Sequence, residues 1–347
     1  MKLTTVVKVR PTEPQALLSM MENFNSACNW LSRLAFQEQT FRWLPLQRRA
    51  YHEVRARFGL SSAQAVVAIR KVAYAYSDKR RRGKIASFQR RGAIPVYEHA
   101  YKRDRTVRFY GYRMPFTARP GIALSSKREA KLAYRNGGFF LFQVIDASQA
   151  TPLETQDVLG CDLGIVRLLT DSDGAFYSGA AIDRARCRHG HRRRNLQRNG
   201  SRAAKRKLRQ ISGHQARYQR DVNHVISKRV VAKAKDTLQA IALERLDGIR
   251  EGITVRRRQR ARHANWAFFQ LRRFIEYKAA LAGVPIILVD HYNTSQTCPQ
   301  CGSVKKANRV SQAQFLCRSC GLAGNADHIA ALNIRARALG NGPMVAA

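Results

Sequence analysis

Two matched cysteine doublets near the C-terminus, Cys298-Pro-Gln-Cys301 and Cys317-Arg-Ser-Cys320, constrain this chain more than any other feature; fifteen residues separate them. Each doublet can hold one face of a tetrahedral Zn²⁺, with the residues between them forming a hairpin. Four thiolates saturate zinc, so such a metal is structural and leaves no open position for chemistry. A redox pair or coincidental cysteines would account for one doublet, not for two at this spacing. The spacing therefore predicts a four-cysteine zinc ribbon over residues 295–322. The chain has seven cysteines, an odd number, which in a reducing compartment favours metal over disulfides.

Charge is the second constraint. Lys and Arg number 63 against 23 Asp and Glu, a formal +40 over 347 residues. Such a chain repels itself unless it meets a polyanion, and nucleic-acid phosphate neutralises it best. A hydrophobic share of 45% is still that of a globular protein, and the length suffices for two or three domains. No apolar run reaches the ~18 residues of a membrane-crossing helix. The start, "MKLTTVVKVRP", lacks the apolar core and cleavage site of a signal peptide. The expectation is an intracellular protein with no membrane partner.

The positive charge is unevenly spread. From Arg184 to Arg220 there are 14 Lys and Arg and no Asp or Glu. A solvated helix face would mix signs, so this segment is read as contacting phosphates, through Arg192, Arg193, Arg194, Lys205, Arg206 and Lys207. "KRRRGK", with Arg80, Arg81 and Arg82, and "VRRRQRAR", with Arg256, Arg257 and Arg258, are read the same way.

The periodicity organises the rest. "TTVVKVRP" alternates as a strand does. From Pro14, the spacing of Leu17, Met21, Phe24, Cys28, Leu31 and Ala35 predicts an amphipathic helix, with Cys28 as core. Ser61 and Gln64 form a capping-box start for a second long helix. Residues 90–150 are short aromatic and β-branched runs broken by Gly and Pro, an all-β stretch read as a small barrel whose first strand is the N-terminal one. The helices are then an insertion. Further on, "ETQDVLGCDLGIVRLLTDSDGAFYSG" predicts an apolar strand, a tight turn at Gly164 and two more strands. "DTLQAIALE" is a strand ending on Glu244, "NWAFFQLRRFIEYKAALAG" an amphipathic helix and "VPIILVD" a buried strand.

Three acids stand where these elements end. Asp162 follows an apolar strand, Glu244 ends another, and Asp327 opens the last helix. Each alone has a plain explanation as a strand-end acid or an acid favoured by a helix dipole. Together, two strand-borne carboxylates and one helix-borne carboxylate can converge on two Mg²⁺, which prefer oxygen ligands. Two such metals about 4 Å apart activate a water and stabilise the leaving 3′-oxygen of a phosphodiester.

In order and spacing, "GCDLGIVRLLTDSDG", the basic segment from "RHGHRRRN" to "VNHVISKRVV", "IALERLDG", "NWAFFQLRRFIEYKA", "YNTSQTCPQCG" and "CRSCGLAGNADHIAALNI" resemble TnpB, the RNA-guided nuclease family encoded by insertion sequences and related to miniature type V CRISPR effectors. The resemblance covers roughly residues 155–335; residues 1–150 match in layout rather than by motif. It implies a multidomain α+β chain: a wedge β-barrel (1–10 and 90–150) with an inserted helical recognition domain (11–89), then a RuvC-like nuclease domain of the RNase H fold (155–294 and 323–347) interrupted by the zinc ribbon. By position, Asp162, Glu244 and Asp327 take the places of the catalytic acids, and Cys298, Cys301, Cys317 and Cys320 those of the zinc ligands. The implied cofactors are two Mg²⁺, one Zn²⁺ and a guide RNA from the transposon end. The implied partner is double-stranded target DNA, whose strands are unwound and cut beside a short recognised motif. The implied setting is the prokaryotic cytoplasm, on the nucleoid when DNA is bound. One departure is Ile329, where many relatives carry Asn two residues after the last acid. Three other readings remain open: a nuclease-inactive guided repressor of the same fold, a DNA-joining transposase, and a basic RNA-binding protein with a zinc ribbon.

Overall fold

A computed structural model describes residues 1–78, 82–96, 106–116, 129–245 and 268–340. They form two compact units, Met1–Ala147 and Ser148–Ala347.

The first unit is built on a four-stranded sheet in the order β1-β6-β5-β2. The N-terminal strand β1 (Lys2–Val9) pairs antiparallel with the last strand of the unit, β6 (Gly138–Asp146), from Lys2 opposite Asp146 to Val9 opposite Phe139. Strands β5 (Ala130–Arg135) and β6 are joined by Asn136 and Gly137, both at positive φ (50° and 78°), the conformation a two-residue hairpin requires. Strand β2 (Ile94–Val96) pairs with β5 on the sheet's other side, and β3 (Thr106–Phe109) with β4 (Tyr112–Pro115) makes a separate hairpin.

Between β1 and β2 run three helices. Helix α1 (Pro14–Gln37) starts with Pro14 in its first turn, where no intrahelical N–H bond is lost, and buries Leu17, Met21, Phe24, Cys28, Leu31 and Ala35. Helix α3 (Ser62–Ala75) begins on the reciprocal Ser61–Gln64 capping box. Helix α2 (Trp43–Phe58) does not stand out by periodicity. It buries only Leu46, Ala50 and Val54, a narrow stripe among arginines. The helices share one core with the sheet, in which Leu17, Phe24 and Ile69 meet Val9, Ile94, Leu132 and Leu141.

The second unit is organised by a five-stranded sheet in the order β11-β10-β7-β8-β9. Strands β7 (Asp157–Asp162), β8 (Arg167–Asp171) and β9 (Phe176–Ser178) are antiparallel neighbours, whereas β10 (Gln239–Arg245) runs parallel to both β7 and β11 (Ile286–Asp290). All but the last residue of β10 are buried, as a parallel strand covered on both faces must be. The chain from β9 to β10 passes through α4 (Ala180–Asn199), α5 (Arg202–Ile211) and α6 (His214–Asp236). Helix α7 (Phe268–Ala282) precedes β11, and α8 (Ala326–Gly340) ends the described chain.

The two faces of this sheet are covered differently. Leu159, Cys161, Ile241 and Leu243 point toward α6 and α7, into a core with Ile226, Val230, Leu271 and Ile275. Val158, Ala240, Ala242, Ile287 and Val289 point the other way, toward Ile334 and Ala338 of α8. On that second face the side chains of the central strands are small for a reason. A Cβ on Gly160 would lie 2.2 Å from the carbonyl oxygen of Ala331 and 2.7 Å from the backbone nitrogen of Arg335. Helix α8 therefore rests directly on the backbone of β7. Gly160→Ala must push α8 off the sheet, and overpacking of this kind costs ~1–3 kcal/mol. Urea denaturation of the variant should show that loss; an unchanged midpoint and slope would contradict the contact.

Candidate functional site

The alternation along β7 and β10 determines where their terminal acids face. Val158 and Gly160 face α8, so Asp162, two residues on, does too. Ala240 and Ala242 face α8, so Glu244 follows them. The ladder pairs Ala242 with Gly160 and ends with Leu243 opposite Cys161; Glu244 follows, close enough for its charge to act on Asp162. Asp327 is in the first turn of α8. Asn325, at the end of the short strand Ala323–Asn325, caps that helix by accepting from the N–H of Asp327 at 3.1 Å and of His328 at 3.3 Å. Three acids distant in sequence thus meet at one end of one face of the sheet.

Their electrostatics record the meeting. Burial pushes the Asp162 carboxyl well above the usual carboxylate range, and the charges of Glu244 and Asp327 push it further. Burial also raises Glu244, against the opposing hydrogen bond from Thr294, whose Oγ1 donates to Oε1 at 2.5 Å. Asp327 is raised by burial and pulled back by Arg309 and Arg167. Oxygen donors that are buried (Glu244) or half-buried (Asp162 and Asp327), with Asp162 repelled by the other two, fit a divalent cation. The acids are less tightly drawn together than the thiols. Among the described residues, the four cysteines are the one group of three or more His, Cys, Asp or Glu with ligand atoms all within 4.8 Å.

The sequence reading missed three residues around this site. Arg309 lies in the segment between the cysteine doublets, yet its charge reaches all three acids. Its spacing carries no signal. Thr294 holds Glu244, and Asn333 of α8 grips the same loop by donating to the carbonyls of Thr294 at 2.7 Å and Thr297 at 2.8 Å. Thr294 and Asn333 do lie within "YNTSQTC" and "ALNI", stretches that carry the resemblance.

A carboxyl whose folded pKa is raised holds its proton more tightly in the fold than in the unfolded chain. Its contribution favours folding at low pH and is lost as pH rises through the ordinary carboxylate range and then the raised one. Asp162→Asn removes that penalty, so at neutral pH in chelator the variant should melt higher than the parent. Relief of ~1 kcal/mol corresponds to about 2–4 °C. Mg²⁺ should raise the parent's Tm and leave the variant's nearly unchanged; a lower Tm for the variant in chelator would refute this account.

The cysteine cluster is built from two similar turns. The N–H of Gly302 donates to the carbonyl of Cys298 at 2.9 Å, and that of Gly321 to the carbonyl of Cys317 at 3.1 Å. Each glycine has a positive φ, 72° and 75°, which is why each doublet is followed by Gly. The sulfurs of Cys298 and Cys320 are 3.6 Å apart and those of Cys301 and Cys317 are 3.5 Å apart. Tetrahedral Zn–S bonds of about 2.3 Å imply S···S of about 3.8 Å, so the residues fit the metal. The N–H groups of Cys320 and Ser319 both point at the Cys317 sulfur and draw its thiol down to about 6. Cys298 and Cys317 share a small core with Phe315, Ala326 and Ile329. Ile329, only 4% exposed, is therefore an apolar tie between α8 and the cluster. Cys317→Ser leaves three thiolates. It should lose zinc, measured by metal analysis, and unfold locally around residues 295–322, since binding energy at such a site is folding energy. One equivalent of zinc with unchanged hydrogen exchange there would contradict this.

The basic residues divide. Arg192, Arg193 and Arg194 on α4 and Lys205, Arg206 and Lys207 on α5 are exposed. These helices bury only Ile182 and Ala204 respectively, so they present charge to solvent along nearly their whole length. Arg82 is turned inward: it donates to the carbonyl of Tyr76 at 3.1 Å and lies over the Phe41 ring. Arg80, Arg81, Arg256, Arg257 and Arg258 fall outside the described residues.

The geometry so far is that of a mixed α/β unit with three acids near one end of its sheet and a four-cysteine cluster beside them, and comparison with known proteins adds to it. Residues 268–334 match the family model of the Cas12f1-like TNB domain. The CRISPR-associated endodeoxyribonuclease Cas12f1 of Sulfoacidibacillus thermotolerans is 32% identical over 54% of this chain and 47% of its own length. The TnpB-like protein MJ0751 of Methanocaldococcus jannaschii is 27% identical over 58% of this chain and 79% of its own. The chain is a relative of the TnpB-like and Cas12f proteins. It spans less than half the length of the Cas12f1 relatives it matches, at 47% and 37%. A solved structure of the mini-RNA-guided endonuclease CRISPR-Cas_phi3 aligns with a TM-score of 0.50 at 10% identity, covering 100% of this chain and 94% of that one, a likeness of fold. Among the described residues no helix is long and apolar enough to cross a membrane.

Proposed function

We propose that this chain is an RNA-guided DNA endonuclease that hydrolyses phosphodiester bonds of a double-stranded target, using Mg²⁺ held by Asp162, Glu244 and Asp327. The observation that carries the reading is the convergence of these three carboxyls at one end of the sheet, where burial and mutual repulsion raise Asp162. The names of the related proteins supply the substrate class. On this reading, the Ser148–Ala347 unit is a RuvC-like domain of the RNase H fold, which the strand order β11-β10-β7-β8-β9 supports. The sheet and hairpin of the first unit are its wedge barrel, with the helices between β1 and β2 as the recognition insertion, and one zinc is held by the four cysteines. The setting is the cytoplasm and nucleoid of a prokaryotic cell.

The roles of the residues follow from their places. Mg²⁺ held there would supply Lewis acidity toward an attacking water and a leaving 3′-oxygen. Asp162, Glu244 and Asp327 supply the oxygen ligands. Thr294 orients Glu244 through its short hydrogen bond, and the Asn325 cap holds the first turn of α8 in register. Arg309 brings positive charge to the acids from the ribbon side, where a phosphate's negative charge must be met. Pairing with a guide RNA reads the target sequence, and the exposed cations of α4 and α5 contact phosphates of either nucleic acid.

Replacing Asp162, Glu244 or Asp327 by Ala should each lower cleavage of a guide-matched duplex by orders of magnitude in Mg²⁺. Guide-dependent binding in chelator should survive, because phosphate contacts and base pairing hold it. Wild-type cleavage by Asp162→Ala or Asp327→Ala would reject the site. Guided binding by the parent chain without cleavage in Mg²⁺ or Mn²⁺ would make it a repressor.

A further inference from the structure

Beside Asp327 lies a construction that the three acids do not require. Arg167 opens β8, and its guanidinium stacks 4.2 Å over the ring of Phe176, which opens β9. The register of β8 and β9 shifts between Arg167 and Leu169, an irregularity of the kind that re-aims a side chain at a sheet edge. Phe176 is 53% exposed, unusual for a phenylalanine that shares a strand pair with buried residues. Arg167 also donates through Nη1 to Oδ1 of Asn325 at 3.0 Å. Asn325 is the cap that orients Asp327, so the arginine is tied to the site's geometry.

Arg167 is not consumed by this neighbourhood. Its Nε is 3.9 Å from Oδ2 of Asp327, an attraction beyond hydrogen-bond reach. Among the described residues, Nη2 has no hydrogen-bond partner, and the side chain keeps 28% of its surface in solvent. A guanidinium has a planar fork that suits phosphate oxygens, and the aromatic face beneath it holds the plane without using a donor. A fork held by ring and cap, facing outward beside an acid, is built to receive an anion.

We propose that Arg167 is a phosphate-contacting residue for the single strand entering the candidate site, and that Phe176 is a positioning residue holding its guanidinium at the rim. This rests on the nuclease reading for the identity of the strand. Unlike the exposed cations of α4 and α5, which suit any polyanion, this contact would set the register of one strand against Asp327.

The test uses the full chain without guide, titrated with fluorescein-labelled oligothymidylate in chelator over a series of salt concentrations. Each phosphate contact on a single strand contributes about 0.7 to the slope of log K against log salt. Arg167→Gln should weaken binding several-fold and flatten the slope by about that amount. Phe176→Leu should weaken binding likewise, Phe176→Tyr should restore it, and Arg167→Lys should keep the slope while binding less tightly. Parental slope and affinity in Arg167→Gln would overturn the proposal. Because neither guide nor cleavage enters the titration, a chain that never cuts but loses slope in Arg167→Gln would sink the nuclease reading and leave this contact standing.

Discussion

The close approach of α8 to β7 at Gly160 is the contact on which the Ser148–Ala347 unit depends. With no side chain between them, the helix backbone sits on the strand backbone. That height and direction carry the first turn of α8 to the ends of β7 and β10, where Asp327 meets Asp162 and Glu244. The same helix sends Asn333 into the loop that holds Glu244 through Thr294, and Ile329 into the core of the cysteine cluster. A bulkier residue at position 160 would disturb acids, loop and cluster together. Ala240 and Ala242 on the neighbouring strand keep that same face shallow.

A net charge of +40 would, spread evenly, favour the ionised form of every carboxylate. The three acids behave oppositely because distance and solvent decide. Charges on α4 and α5 project into water, where screening erases them within a Debye length of about 8–10 Å. Burial acts at zero distance. What reaches the acids is a short set of neighbours, Arg309, Arg167, Arg337 and His291, and these do not cancel the cost of desolvation. The protein thus combines a basic exterior that attracts polyanions with a small acidic interior that suits hard cations, without either neutralising the other.

The cysteine cluster and the acids are joined by more than proximity in sequence. Asn308, fully buried, donates to the carbonyls of Gln296 and Ser303 and accepts from the N–H of Arg318, so it touches both cysteine turns. The next residue is Arg309. The fold of the cluster therefore sets the backbone from which that charge reaches the acids. The apolar contact of Ile329 with Cys298, Phe315 and Cys317 joins the same two regions from the helix side. A relative with Asn at this position would lack that apolar contact.

Much of this was legible without coordinates, where the signal is local. The capping box at Ser61, the Pro14 start and the alternation of β1 follow from backbone geometry within a few residues. Helix α2 escaped because three buried residues among arginines make a stripe too narrow to be periodic. "KRRRGK" looked uniformly basic, yet Arg82 is turned onto Tyr76 and Phe41. The sequence by itself determined most of the elements, the thiol set and which acids end which strands. Only the tertiary structure decided that those acids share a face, that Arg309 and Arg167 approach them, and that Gly160 is a seat for a helix rather than a turn. The physical reason is that such juxtapositions depend on the register of parallel strands and on the packing of one helix across the sheet. Contacts between residues far apart in the chain leave no repeating pattern along it.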